Sequence, residues 1–437
     1  MCGICGLISR KLAGEALVNT IERMTQLLAH RGPDDNGVWQ ENGVALGHRR
    51  LSILDLSALG HQPMASPTGR WIVTYNGEIY NFQELRQQLQ GHQLQFRGGS
   101  DTEVLVAACE NWGIEKTLSR LRGMFAFAAW DRQQRKLVLA RDRLGQKPLY
   151  YGFLDEQFVF ASELGVVSAL SARPSLDRDA VAMMLRYNCI PAPHTIYKGF
   201  QKLPPACAVE FHPDSWSLSQ VIDYWQPPTA IPSDSLCSEE ALERTLHRLS
   251  EAVRCRLVSD VPLGAFLSGG IDSSLVVALM QRNSPRPIRT FTIGFADSLF
   301  NEAEQAAAVA SHLGTDHTEL YVTPKDALDI VPNLGRLYDE PFADASQIPT
   351  LLISRLTRQH VTVALSGDGG DEFFGGYNRH VWLTQVGHRL TRLPQWLREG
   401  VARLLQWPWL GRSLDALARR GLVSIRTPSD KLSKFAS

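Results

Sequence analysis

The hydrophobic pattern of this chain changes character once, and no single sheet topology accommodates both halves. Up to about residue 207 the apolar stretches come in pairs around polar turns. GMFAFAAWDRQQRKLVLARD (123–142) and LYYGFLDEQFVFAS (149–162) each read as a hairpin, and WIVTYNGE (71–78) reads as a strand running into an Asn-Gly turn. Helical spacing over 17–29 and 82–90 interrupts them, with Leu85 and Leu89 four apart. Beyond about residue 240 strand, loop and helix alternate. VPLGAFL (261–267) is followed by SGGIDSS and the apolar LVVALMQ; IRTFTIGF is a second strand, EAEQAAAVASHLG a helix closed by glycine, HTELYV a third strand and HVTVAL a fourth. Hairpins mixed with a few helices imply a layered α+β domain. The second half implies βαβ units with a parallel sheet covered on both faces.

Between the halves, CAVEFHPDSWSLSQVIDYWQPPTAIPSDSLCSE (207–239) holds Pro213, Pro227, Pro228 and Pro232 among polar residues. The expected organisation is a first domain over 2–213, a connecting stretch over 214–239 with the linker proper at 226–238, and a second domain over 240–437. A length of 437 residues is consistent with more than one core. Lys+Arg and Asp+Glu both total 45, so nothing advertises nucleic acid or an anionic membrane as partner. No apolar run approaches the roughly 18 residues that span a bilayer, and no signal-type segment opens the chain. Seven scattered cysteines fit reduced thiols, so a cytoplasmic location is expected.

Two loops of the second half carry phosphate chemistry. Ser268, Gly269, Gly270, Ile271, Asp272, Ser273 and Ser274 lie between a strand and a helix, where α/β sheets bind ligands. The glycines admit backbone N–H groups to an anion, the serines add hydroxyl donors, and the helix presents its positive end. Asp272 would repel phosphate, and makes sense as a ligand of Mg²⁺ travelling with it. The second loop, SGDGGDE (366–372), repeats the recipe after another strand. Neither contains the Gly-Lys-Ser/Thr of a Walker A loop.

The N-terminus reads MCGICG. Cys2 and Cys5 have Cys-x-x-Cys spacing, but a zinc site needs a second pair, and none of Cys109, Cys189, Cys207, Cys237 and Cys255 supplies it. A thiol near pKa 8.5 needs a base; once Met1 is removed, Cys2 carries one in its own α-amine, pKa about 7.7 to 8.0. Arg50, in GHRRLSILD, can clamp a carboxylate, although register alone does not separate it from Arg49. Asn76 and Gly77 can offer an amide N–H₂ and a backbone N–H to an oxyanion. Glu78 and Asp101 can hold an ammonium. One anion clamp, two cation acceptors and an oxyanion pair suit an amino acid with a reactive side-chain amide, and glutamine fits. Cys5 is expected as packing, His30 and His48 as structural donors, and Trp71, Phe125, Phe127 and Trp130 in the core.

MCGI, HRGPDD, GHRRLSILD, YNGEIYN, SDTE, GMFAFAAWD and RDRLGQKPLYY, in that order, resemble the class II, N-terminal-nucleophile glutamine amidotransferases. SGGIDSS resembles the pyrophosphate loop of ATP pyrophosphatases. With SGDGGDE about a hundred residues on, the resemblance narrows to glutamine-hydrolysing asparagine synthetases. It implies an αββα sandwich of Ntn type followed by a Rossmann-like ATP-pyrophosphatase domain. It implies glutamine held by Arg50, Asn76, Gly77, Glu78 and Asp101, with Cys2 as nucleophile. ATP would contact Leu267, Ile293, Ser366 and Gly367 besides the first loop, with Asp368 beside a β-aspartyl-AMP and Asp272 and Asp371 on Mg²⁺. Many relatives carry Glu where this chain has Asp368.

The family logic is ammonia released from glutamine at one site and added, through a shielded passage, to an aspartate side chain activated by ATP at the other. A homodimer is implied by analogy, with no nucleic-acid or membrane partner. Relatives run on past RTPSDKLSKFAS into helices bearing a phosphate-contacting lysine; Lys431 and Lys434 are expected to be solvated. The second domain therefore reads as partial, with glutaminase chemistry retained and synthetase activity weakened or lost. Two alternatives remain: a related amidotransferase acting on another carboxylate, such as a sugar acid, and a remnant with glutaminase activity only. β-Lactam synthetases lack the nucleophilic cysteine present here.

Overall fold

The computed structural model describes residues 1–91, 94–228, 237–295, 301–377, 380 and 394–405; residues 229–236 of the expected linker and both tail lysines lie outside them. The chain divides into two units, Met1–Ser366 and Gly367–Ser437. The first unit opens with β1 (Gly3–Ser9), α1 (Gly14–Leu27), β2 (Asp35–Glu41), β3 (Val44–Arg50), β4 (Met64–Ala65), β5 (Trp71–Ile79), α2 (Phe82–Gln90) and α3 (Asp101–Arg120). There follow β6 (Gly123–Asp131), β7 (Lys136–Arg141), β8 (Tyr150–Leu154), β9 (Gln157–Ala161), α4 (Arg178–Tyr187), β10 (Phe200–Lys202), β11 (Cys207–His212), β12 (Ser217–Leu218) and β13 (Ile222–Asp223). These strands form two antiparallel sheets, ordered β10-β8-β9-β1-β3-β2 and β12-β11-β7-β6-β5-β4, with β13 on β11.

Alternation along the strands decides how the sheets stack. In β1, Ile4 and Ile8 enter the core between the sheets, while Cys5 and Leu7 pack with Leu17, Ile21 and Met24 of α1. In β6, Ala126, Ala128 and Trp130 face inward, while Phe125 and Phe127 join Leu85, Leu89 and Leu105 of α2 and α3. Both faces of both sheets are apolar, and each large side chain taken from water contributes about 1.5–3 kcal/mol. Helices must cover the outer faces, and the result is a four-layer αββα sandwich. Trp71, Phe125, Phe127 and Trp130 are all buried in it.

Two local expectations are corrected. Asn76 and Gly77 do not turn: β5 runs on to Ile79, pairing Asn76 with Ala126 and Gly77 with Phe125. Gly77 serves close approach instead, since a Cβ there would lie 2.3 Å from the Met124 carbonyl. The long helix α3 escapes the periodicity because Val104 to Cys109 are buried all round, leaving no apolar stripe. At its start Ser100 caps it, accepting from the Glu103 N–H at 3.3 Å in a Ser-x-x-Glu pattern.

The parallel half comprises α5 (Ser238–Arg256), β14 (Leu263–Phe266), α6 (Ile271–Arg282), β15 (Arg289–Phe295), α7 (Ala303–Leu313) and β16 (Asp316–Val322), then α8 (Pro324–Ile330), α9 (Leu334–Leu337), α10 (Gln347–Arg358) and β17 (Val363–Leu365). Its sheet is ordered β16-β15-β14-β17, all parallel. The strand order reverses between β14 and β17, and the crevice beyond their carboxyl ends is where such sheets take ligands. Val253, Leu267, Val277, Met280, Ala306 and Ala310 form its core. In the second unit α11 (Gly370–Phe374) and α12 (Gln395–Leu405) are described. Among the described residues no helix is long and apolar enough to cross a membrane.

Candidate active site

The sheets are pinned together at one end by hydrogen bonds from Thr74 Oγ1 to the Gly47 carbonyl (3.2 Å) and between His48 Nε2 and the Tyr75 carbonyl (3.0 Å). That registry brings the start of β1, the end of β3, the middle of β5 and the first turn of α3 to one cavity of about 300 Å³. Cys2, Arg50, Asn76, Gly77, Glu78 and Asp101 all line it, together with Met1, Gln62, Tyr75 and Lys147. Thr362, Val363 and Ala364, at the start of β17, close one side.

Cys2 Sγ is half-buried, 3.4 Å from the Leu51 N–H, and Arg31 Nε donates to the Cys2 carbonyl at 3.0 Å. Burial pushes the thiol up against the pull of the Leu51 N–H, so the proton stays on sulfur until a base removes it. Burial also lowers the Met1 α-amine to about 6, which leaves it unprotonated at neutral pH. Cys5, by contrast, is fully buried in β1 between Gly47 and Ala161, and shares no site with Cys2.

The two arginines separate. Arg49 Nε donates to the Thr25 carbonyl at 3.0 Å, toward α1. Arg50 turns into the cavity, where Nη1 donates to the Ser57 carbonyl at 2.9 Å and Nη2 to the carbonyls of Leu54 and Asp55. A guanidinium has five N–H groups, so these bonds fix the fork and leave donors for a carboxylate.

The oxyanion geometry follows from strand alternation. Phe125 spends its N–H and carbonyl on Asp142, so opposite it Gly77 belongs to a pair without mutual hydrogen bonds. Tyr75, Gly77 and Ile79 therefore direct their N–H groups away from β6. Tyr75 N donates to Gln62 Oε1 at 2.8 Å and Ile79 N to Asp101 Oδ2 at 2.9 Å; Gly77 N–H points the same way between them. Asn76 is buried, and its Nδ2 has no partner among the described atoms. An orphaned buried amide donor lining a cavity is a group awaiting an acceptor.

Asp101 also accepts from the Tyr75 hydroxyl at 2.7 Å. Burial nevertheless raises its carboxyl, and burial with the neighbouring Asp101 raises Glu78 to about 7. Lys147, which sequence reasoning did not single out, faces this pair. It is 4% exposed, its ammonium is pushed down by burial, and its Nζ lies 3.1 Å from Met1 Sδ. Asp142 aims it, accepting from the backbone N–H groups of Leu144, Gln146 and Lys147. The only sequence signal was its place in RDRLGQKPLYY. His48 is held neutral by burial, at about 3, and His30 bonds Glu163 at 3.1 Å.

In the parallel half the loop after β14 is closed on itself. Ser268 N donates to Ser273 Oγ at 3.2 Å, the two hydroxyls lie 2.9 Å apart, and Gly270 N donates to Ser268 Oγ at 3.3 Å. Gly269 has φ +78°, and a Cβ there would meet Gln305 Cβ at 2.8 Å and Ala306 N at 2.9 Å. Gly270 is the N-cap of α6 with no side chain capping it, and Ser274 Oγ is buried without a partner among the described atoms. Uncapped N–H groups and an orphaned hydroxyl suit a phosphate. Asp272 sits in the first turn. Leu267, directly after β14, and Ile293, within β15, are both buried. In the second unit Gly369, φ +95°, leads into α11, which carries Asp371 in its first turn, as does Asp272 in α6.

Residues 1–225 match the glutamine amidotransferase domain family, and residues 244–425 match the asparagine synthase family. A putative glutamine-hydrolysing asparagine synthetase 2 of Methanocaldococcus jannaschii is 36% identical over 91% of this chain and 79% of its own length. Glutamine-hydrolysing asparagine synthetase 1 of Bacillus subtilis is 34% identical over 86% of this chain. The chain spans 59% of the length of that second relative. A solved glutamine phosphoribosylpyrophosphate amidotransferase of B. subtilis is 13% identical and aligns at a TM-score of 0.40 over 83% of this chain and 90% of its own. An amidotransferase sandwich joined to a synthase domain is thus the class of protein that fold and comparisons define. The chain belongs to the family of glutamine-hydrolysing asparagine synthetases.

Proposed function

We propose that this chain hydrolyses glutamine at Cys2 and passes the ammonia to an aspartate side chain activated by ATP, giving asparagine, AMP and pyrophosphate. One observation carries the reading: Cys2, Arg50, Asn76, Gly77, Glu78 and Asp101 line a single cavity. With Met1 removed, the α-amine of Cys2 takes the thiol proton, and Sγ attacks the glutamine side-chain amide. Arg50 holds the α-carboxylate, Glu78 and Asp101 the α-ammonium, and Asn76 Nδ2 with Gly77 N–H the oxyanion. Collapse of the tetrahedral species returns the proton to nitrogen, releases NH₃ and leaves a thioester, which water hydrolyses to glutamate. The apolar side chains of Val363 and Ala364 in the cavity wall favour uncharged ammonia on its way to the parallel sheet.

At the second site the reading assigns the phosphates of ATP to Ser268, Gly269, Gly270, Ser273 and Ser274, with Leu267, Ile293, Ser366 and Gly367 bordering the nucleotide and Asp368 near the activated aspartate. AMP is the leaving group that makes a carboxylate an acceptor for ammonia. Mg²⁺ binds through one or two carboxylates plus phosphate oxygens, so Asp272 is the kind of ligand it uses, and Asp371 is assigned to it on its motif. The organisation in two domains joined over 214–239, a cytoplasmic location and a homodimer without nucleic-acid or membrane partners belong to the same proposal.

The test is asparagine and pyrophosphate formation from glutamine, aspartate, ATP and Mg²⁺, with other carboxylic acids, including sugar acids, in parallel. Glutamine-dependent asparagine formation supports the reading; amidation of another acid, or ammonia release alone, replaces it. Gly269→Val forces a β-branched residue into φ +78° against α7. A strain of about 1–3 kcal/mol should cost pyrophosphate release about tenfold or more, while ammonia release from glutamine persists.

Glutamine binding should also depend on pH. Glu78 holds an ammonium only when ionised, and with its carboxyl raised to about 7 that charge is present above neutrality and lost below it. KM for glutamine in ammonia release is therefore expected to rise as pH falls through about 7. In Lys147→Met, which removes a cation that pulls Glu78 down, the rise should begin at higher pH. A KM that stays flat across this range counts against the assignment of Glu78.

A further inference from the structure

One hydrogen-bonded path runs from the parallel half to the nucleophile. Asp339, just after α9, accepts from the Leu164 N–H at 2.5 Å and the Gly165 N–H at 2.9 Å, so both its oxygens grip the turn that follows β9. The preceding residue, Glu163, accepts from Arg31 Nη1 at 2.6 Å, and both side chains are largely buried, at 22% and 9% exposed. Arg31 Nε in turn holds the Cys2 carbonyl at 3.0 Å. Ser162 fixes the same turn to β1, its N–H donating to the Ile4 carbonyl at 2.9 Å and its hydroxyl accepting from Ile4 N at 3.0 Å.

The segment that supplies Asp339 is anchored a second and third time. Glu340 accepts from Ile196 N at 2.7 Å and pairs with Lys202 at 2.6 Å, and Ala343 N donates to the Asn188 carbonyl at 2.8 Å. Asp339 is half-buried, and its partial burial beside Glu163 raises its carboxyl to about 6. The Asp339 carboxylate thus holds the two residues that follow Glu163, and Glu163 reaches the Cys2 carbonyl through Arg31.

We infer that Asp339 is a positioning residue for the Cys2 nucleophile, acting from the synthase half through Glu163 and Arg31. The inference rests on the glutaminase reading above. It makes the segment 339–343 the mechanical link by which a displacement in the parallel half alters glutamine hydrolysis. Arg50, Asn76, Glu78 and Asp101 are not on the path, so glutamine binding is insulated from it.

The test compares the full chain with Asp339→Asn, Glu163→Gln and the double variant. In Asp339→Asn an amide N–H₂ faces a backbone N–H, donor against donor, and one of the two anchors is lost. The kcat for ammonia release should fall about tenfold, within the range of couplings carried by contiguous networks, with KM for glutamine unchanged. Glu163→Gln should do the same, and the double variant should be no worse than the poorer single one. Alkylation of Cys2 by iodoacetamide, followed on the N-terminal peptide by mass spectrometry, should slow in parallel. An unchanged kcat, a loss that appears in KM, or losses that multiply in the double variant overturn the inference. A parent chain that alkylates at Cys2 but releases no ammonia refutes the glutaminase reading instead, while the alkylation rates still decide the path.

Discussion

Cys2→Ala is expected to abolish ammonia release from glutamine, a loss of about a thousandfold or more, because no other group can carry the acyl intermediate. The alternatives can be inspected one by one. Cys5 is sealed in β1 behind the sheet, His48 is neutral and bonded to the Tyr75 carbonyl, and Lys147 is an amine that would form a stable amide rather than a hydrolysable thioester. The substitution removes one sulfur from a half-buried position and leaves Arg50, Asn76, Glu78 and Asp101 in place. Glutamine should therefore still bind, and pyrophosphate release driven by added ammonia should continue. Ammonia release that survives the substitution would mean that another residue is the nucleophile.

Keeping the N-terminus blocked should cost as much as removing the sulfur. In the structure Met1 lines the cavity, with its Sδ against Lys147, so the space next to Sγ belongs to a residue that the mechanism needs gone. An N-terminal extension that is not removed converts the Cys2 amine into an amide nitrogen, which is no base. The thiol, already pushed up by burial, then has nothing to take its proton. Ammonia release should drop to the level of Cys2→Ala, and enzymatic removal of the extension should restore it. Full activity with the extension intact would show that the base lies elsewhere, with Lys147, which burial pushes toward the neutral amine, the first candidate.

How far the site was legible in the sequence depends on what kind of information each residue needed. Arg50, Asn76, Glu78 and Asp101 could be nominated because holding a carboxylate, an oxyanion and an ammonium each demands a side-chain type. Lys147 could not, because its placement depends on the Asp142 carboxylate accepting from the N–H groups of Leu144, Gln146 and Lys147, an arrangement no local pattern announces. The Asn-Gly pair at 76–77 was misread as a turn because local composition signals only that the backbone is permissive. What fixes it in a strand is the close approach of β6, a tertiary fact. The helix α3 shows no apolar stripe in the sequence for the opposite reason: its middle turns, Val104 to Cys109, are buried on every side. The hairpins, by contrast, were legible from their paired apolar runs around polar turns, which implied a layered α+β domain; the stacking of two sheets between helices came from the family resemblance.

The most direct measurement is mass spectrometry of the N-terminal peptide from protein quenched in acid during turnover of glutamine. The expected peptide begins at Cys2 and carries a γ-glutamyl group on its sulfur. A turning-over protein whose N-terminal peptide retains Met1, or whose acyl group resides on any other residue, would contradict it.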